Sequence, residues 1–177
     1  MLHEAQYPHH RFYRQQSDPV QKMTSTDLSI LMAFGARLLL VLLFFPFSAL
    51  DKALNFRAAV GQAGEATSNE NVAKALIFAG LAVEIFMSLG VLTGIADRFA
   101  AFILAGYCIV TALLWKQFWR QPDFSLRGKS AGREVFWDFL KNLAVAGGFL
   151  MLAFGPNAAS FLQFMHAPFA STHPYGF

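Results

Sequence analysis

The chain has 177 residues, of which 55% are hydrophobic and 14% charged, against the roughly 25% charge of an ordinary soluble domain. Mean hydropathy is +0.41, and one domain of this length has too little interior to hide so much apolar surface from water. Intrinsic disorder is excluded on the same ground, and the lone cysteine, Cys108, excludes a disulfide scaffold, an intramolecular CxxC pair and a Cys-based zinc or iron–sulfur cluster.

What remains is a small integral membrane protein. Its net charge is +3, but the charges are segregated. Residues 99–115 and 142–177 carry none, and residues 30–50 carry only Arg37. The basic excess in the connecting segments points to membrane topology and anionic headgroups. No Lys/Arg run of the nucleic-acid-binding type occurs, so nucleic acid is not an expected partner.

A bilayer core about 30 Å thick needs roughly 20 apolar residues of helix. Residues 1–27 read as a polar tail holding His3, His9 and His10. The first span covers residues 30–50, with Thr26 and Asp27 as N-cap candidates. Its position is too far from the start for a signal peptide, and Phe47 spoils a cleavage site, so it is expected to be retained. Pro46 should bend it. Residues 51–71 form a loop with room for a further half-helix. The second span, 72–92, opens at Ser68, Asn69, Glu70 and Asn71. Six residues separate it from the third span, 99–119, which predicts a hairpin. A basic loop, 120–133, leads to the fourth span, 136–154, stopped by Gly155, Pro156 and Asn157. Gly147 and Gly148 allow close helix approach there. The expected fold is thus all-α, an antiparallel up-down-up-down four-helix bundle over residues 28–156. An aromatic tail, 157–177, would lie in the interface or dock on a partner. The end of the bundle with the loops 51–71 and 120–133 carries eight basic residues, Lys74 and Lys116 included, against four at the other end, so the positive-inside rule places those loops in the cytoplasm.

Ionisable groups inside a span are costly and pair or line cavities. Counted from the span ends, Arg37 and Glu84 fall at similar depth, which predicts an ion pair between the first two helices. It would serve as a staple, or leave Glu84 a role as proton relay or ligand contact. A second group gathers at the other end of the bundle. Asp51 and Lys52 close the first span, Lys116 and Trp119 close the third, and Asp138, Lys141 and Asn142 share a face of the fourth. An interfacial belt of snorkelling Lys and aromatic rings is one explanation. A headgroup site is the other, since a quinone ring needs donors for two carbonyls, aromatic walls and a group that trades protons. Bis-histidine haem is set aside, because no histidine lies within a span. No nucleotide-binding Gly loop occurs, and no metal site is expected.

These pieces, in this order, resemble the DoxX family of small four-helix bacterial membrane proteins. The resemblance covers about residues 30–155. It rests on Arg37, the Asp51–Lys52 helix end, LAVEIFMSLGVLTGIADRFAAFIL around Glu84, KQFW at 116–119, and FLKNLAVAGGFLML with Lys141, Asn142, Gly147 and Gly148. Lys116 stands where the family often has His, which speaks against His-based proton transfer at that position. The resemblance implies a bacterial inner-membrane protein accessory to a quinone-linked redox complex. Its partners would be membrane lipids and a redox subunit, with a second copy of the chain as a further candidate. Any cofactor would be a non-covalently held quinone. Two rival expectations stand beside it: a structural or assembly subunit without its own ligand, and a small transporter or proton pathway through Glu84.

Overall fold

The computed structural model describes residues 19–65, 67, 69–155 and 157–176, with side chains from Thr26 onward. The tail residues His3, His9, His10, Arg11 and Arg14, and Ser68 and Pro156 in the loops, lie outside the described residues. Within them the protein is all-helical. Four stretches are long and apolar enough to cross a membrane: Thr26–Leu54, Glu70–Thr93, Asp97–Arg120 and Ala131–Phe154. Large apolar side chains such as Leu31, Leu39, Phe47, Phe78, Phe86 and Met151 face outward. Such an apolar exterior is what a multi-pass membrane protein presents to lipid.

The first helix, α1 (Pro19–Val41), starts earlier than expected. Proline is well suited to a first helical turn, where its missing N–H costs nothing, so Thr26 and Asp27 lie inside the helix rather than capping it. Ahead of Pro46, Phe45 leaves helical geometry (φ −126°, ψ 119°). The first span therefore continues as a separate segment, α2 (Ala49–Leu54). The room left for a half-helix is filled by α3 (Phe56–Gly64). It packs on α4 (Glu70–Ala82) through Ala63, Ala73 and Ile77. The Asn69 side chain caps α4 by accepting from the Asn71 and Val72 amides. A wide π-helical turn, Val83–Met87, joins α4 to α5 (Ser88–Thr93).

Gly94 (φ +78°) ends the second span and Ala96 (φ 48°) precedes α6 (Asp97–Trp115). A loop containing the short turn Phe118–Arg120 leads to α7 (Ala131–Phe154), the partner with which α6 shares its longest contact. The core is built from small residues on α6, namely Ala100, Ala101, Ala105 and Cys108. Against them pack Val41, Phe44, Val91, Leu104 and Phe149. Small side chains let helices approach closely where lipid supplies no hydrophobic drive. Gly148 does the same opposite Leu40, whereas Gly147 faces open space.

The C-terminal segment packs on its own bundle. Helix α8 (Ala158–His166) inserts Phe164 into the core, and Phe164 and Phe161 pack on Phe154. Beyond it the chain runs back across the link between the second and third spans. Phe169 stacks on Phe99, and the Tyr175 hydroxyl donates to the Leu92 carbonyl. Pro174 seats against Gly94, where a Cβ would come within 2.9 Å of its ring. Thr172 donates its amide (2.9 Å) and its hydroxyl to the Asp97 carboxylate. This uncharged segment is apolar enough to be held by its own bundle, where Gln163, Thr172 and Tyr175 also find polar partners.

The same place corrects the expected ion pair. Arg37 donates to the Val91 carbonyl at 2.7 Å and pairs with Asp97 at 2.8 Å, not with Glu84. Side chains lean toward the N-terminus of their own helix. Arg37 accordingly reaches toward the Gly94 link, while Glu84 reaches back toward α3. Both members of the Arg37–Asp97 pair are buried. Removing one partner of a buried pair costs about 3–5 kcal/mol, because the other charge is stranded. Asp97→Ala is therefore expected to lower stability by about that amount, and Thr172→Val by only about 1 kcal/mol. Equilibrium unfolding in detergent micelles checks both; equal effects would remove the ion pair from the account.

Candidate functional site

A cleft of about 630 Å³ opens between α2, α3, α4, α6 and the middle of α7. Its walls are apolar, with Phe44, Ile77, Val83 and Trp115 among them. Along it lie the outward-facing side chains Leu43, Leu76, Val110 and Leu114. A ligand dissolved in the bilayer thus meets apolar surface on its way in. Trp115 fixes α3 over the cleft by donating its indole N–H to the Gln62 carbonyl at 3.0 Å.

One polar cluster sits on this wall. Glu84 is 1% exposed. Its Oε1 accepts from Lys52 Nζ (2.6 Å), Ser48 Oγ (3.0 Å) and Tyr107 Oη (2.8 Å). Lys52 also donates to Ser48 Oγ at 2.6 Å. The sequence places these groups by helical spacing. Ser48 and Lys52 are four apart and share a face. Gly80 and Glu84 are four apart as well. The missing side chain of Gly80 admits the Tyr107 hydroxyl, which lies 3.3 Å from where a Cβ would stand. The Tyr107 ring is braced edge-on by Phe44. Chemically the cluster offers an ammonium with one hydrogen to spare, beside a carboxylate held by a phenol and a hydroxyl, at the edge of an apolar slot.

Four of the residues expected from sequence line this cleft: Asp51, Lys52, Lys116 and Asn142. Asp51 is engaged by Asn55, which donates to it at 2.8 Å. Three others stand elsewhere. Lys141 is 72% exposed and pairs with Asp138 at 3.1 Å, one turn away on its own helix. Asp138 also holds Lys116 at 3.4 Å. Trp119 belongs to an aromatic cluster with Phe118 and Phe139. Lys141, Asp138 and Trp119 thus lie outside the cleft wall. Sequence reasoning missed Ser48 and Tyr107, and gave Glu84 the wrong partner. The available signals were the i,i+4 pair Ser48/Lys52 and a tyrosine in an otherwise apolar span. Among the described residues, no group of three or more His, Cys, Asp or Glu side chains is placed to hold a metal ion.

Comparisons with protein-family models, curated proteins and solved structures give no match to this chain. The site is therefore read from its own chemistry. Hydrogen bonds to charged groups contribute about 1.5–3 kcal/mol. Tyr107→Phe, which keeps the ring and removes the donor to Glu84, is expected to lower unfolding stability by about that much. A loss below about 0.5 kcal/mol, within the range of an ordinary surface change, would show that the phenol does not support Glu84.

Proposed function

We propose that this protein is a membrane subunit that binds a quinone headgroup in the cleft beside Glu84 and serves a redox complex whose electron carriers lie in another chain. The observation that carries this reading is the cluster of Lys52, Tyr107 and Glu84 on the wall of an apolar cleft open toward lipid. A quinone is a flat ring with two carbonyl acceptors and an apolar tail. Lys52, whose ammonium keeps one hydrogen beyond those given to Ser48 and Glu84, is a donor for one carbonyl, and Asn142 and Lys116 line the same cleft and can face the other, while Tyr107 holds the carboxylate beside it. Phe44 and Trp115 supply flat apolar walls, and Glu84 is a group able to exchange a proton. The cleft volume falls within the roughly 300–1,000 Å³ of small-molecule sites. Lys141, Asp138 and Trp119 have no part in this arrangement.

The wider reading follows from the resemblance over residues 30–155 to the DoxX family. The four spans run up-down-up-down in a bacterial inner membrane. The segments 51–71 and 120–133 face the cytoplasm, as their basic residues favour. Lipid and a redox subunit are the partners. The docked C-terminal segment counts against its use as a partner hook, so the partner's contact is sought on the bundle itself.

The test is a quinone titration of the purified protein in lipid nanodiscs, with short-tailed ubiquinone and menaquinone analogues. Quenching of Trp fluorescence serves as readout, because Trp115 lines the cleft. Saturable quenching is expected for the wild type. Lys52→Met and Tyr107→Phe are each expected to weaken it about tenfold or more, the equivalent of about 1.4 kcal/mol. Lys141→Ala should leave it unchanged. Quenching that never saturates, or one affinity shared by all these proteins, would overturn the reading.

A further inference from the structure

Helix α3 has a hollow on each side. Ala58, Ala59, Gln62 and Ala63 turn toward the cleft. The opposite face, with Phe56, Arg57, Val60 and Gly61, lines a second cavity of about 740 Å³, whose far wall is the start of α4 with Glu70 and Lys74. The two cavities share no lining residue. The floor of the second is bare at Gly61, where a Cβ would meet nothing within 4 Å. Glycine inside a helix is unfavourable, and here no neighbouring element packs into the space it leaves. Lys74 pairs with Glu70 at 2.7 Å, one turn back on its own helix, and its ammonium keeps further hydrogens for another acceptor. Arg57 is exposed and makes no ion pair or hydrogen bond among the described residues. Both α4 residues stand in the first turns of the second span, the depth at which headgroups meet hydrocarbon. Beside them the Phe56 and Phe78 rings pack at 5.2 Å, and Phe78 faces outward further along the span.

We propose that this second cavity binds the phosphodiester of an anionic phospholipid, with Arg57 as its principal ligand and Lys74 as the second cation. The planar fork of a guanidinium matches two phosphate oxygens, and an ammonium adds a compact point charge. A lipid is favoured over a soluble phosphate by position. The basic groups lie at headgroup depth, and the Phe56–Phe78 pair continues from them as an apolar track for an acyl chain. Charge selects among lipids. Arg57 and Lys74 against Glu70 leave one positive charge in the lining, which one phosphodiester neutralises. A zwitterionic headgroup brings an ammonium of its own and leaves that charge uncompensated. A lipid seated here bridges α3 and α4, while the site itself is independent of what the cleft binds.

The experiment is native mass spectrometry of the delipidated full chain in detergent, titrated with phosphatidylglycerol or with phosphatidylcholine of the same acyl chains. One copy of phosphatidylglycerol is expected to bind about fivefold or more tightly than phosphatidylcholine, the scale of one basic residue facing an anionic lipid. Arg57→Gln should abolish that preference. Gly61→Leu fills the cavity floor without touching a charge, stands where the helix has room for a side chain, and should abolish it as well. Arg127→Gln, in the basic loop outside the cavity, should leave it intact. Equal affinity of the wild type for both lipids, a preference that survives either cavity variant, or one lost equally in Arg127→Gln would overturn the proposal. Glycerophosphoglycerol, the same headgroup without acyl chains, separates the two sources of phosphate. It is expected not to displace the lipid at matched concentration, and displacement would assign the cavity to a soluble phosphate ester instead. The quinone titration of Arg57→Gln should match that of the wild type, so this site and the cleft stand or fall separately.

Discussion

A carboxylate inside a membrane span has to be answered by the protein, and in this chain the answer organises the structure around it. Glu84 lies in the middle of the second span and is almost completely buried. An ionisable group there is tolerated only when paired or facing a cavity. Glu84 has both: Lys52 at 2.6 Å and the cleft beside it. Lys52 reaches it from the segment that restarts beyond Phe45, and the Tyr107 hydroxyl reaches it past the bare face of Gly80. The local departures from ideal helix in the first two spans thus converge on one oxygen atom, Glu84 Oε1.

The second buried pair has a different task. Arg37 and Asp97 meet at the opposite end of the second span, where the Val91 carbonyl and Thr172 complete the set. Both carboxylate oxygens of Asp97 have donors. This pair fastens the first span, the hairpin link and the C-terminal segment to one another. Between the two polar centres the bundle interior is apolar, with Val41, Val91, Leu104 and Phe149 fully buried. One centre is closed and structural. The other borders a cleft and still has binding capacity to spare.

Much of the architecture was legible in the sequence. The four spans emerge from hydropathy alone, because lipid leaves helices few alternatives. Pro46 marked the break in the first span, and the polar segment from Ser68 to Asn71 the opening of the second. Asp51, Lys52, Lys116 and Asn142 were also recognisable as one group at one depth. The pairing of Arg37 was not legible, because depth counted from span ends ignores the direction in which side chains lean. Asp97 sits in the link between the second and third spans, outside the stretches in which partners were sought. Lys141 looked suited to a site by its neighbour Asn142, yet the adjacent turn of the helix offers it Asp138 and carries it to the surface. The docking of the C-terminal segment left no periodic pattern to read. Its uncharged composition suited a partner's surface as well as its own bundle.

The central claim is that Lys52 and Glu84 depend on each other within the membrane span, and a double-mutant cycle measures that dependence directly. Lys52→Met, Glu84→Gln and the combined variant would be compared by equilibrium unfolding in the same detergent. If the pair anchors the cleft, each single change strands a buried polar group, and the double variant loses clearly less than the sum of the two. Strictly additive losses would show that the two side chains are neighbours without coupling, and the account of the cleft built upon them would fail.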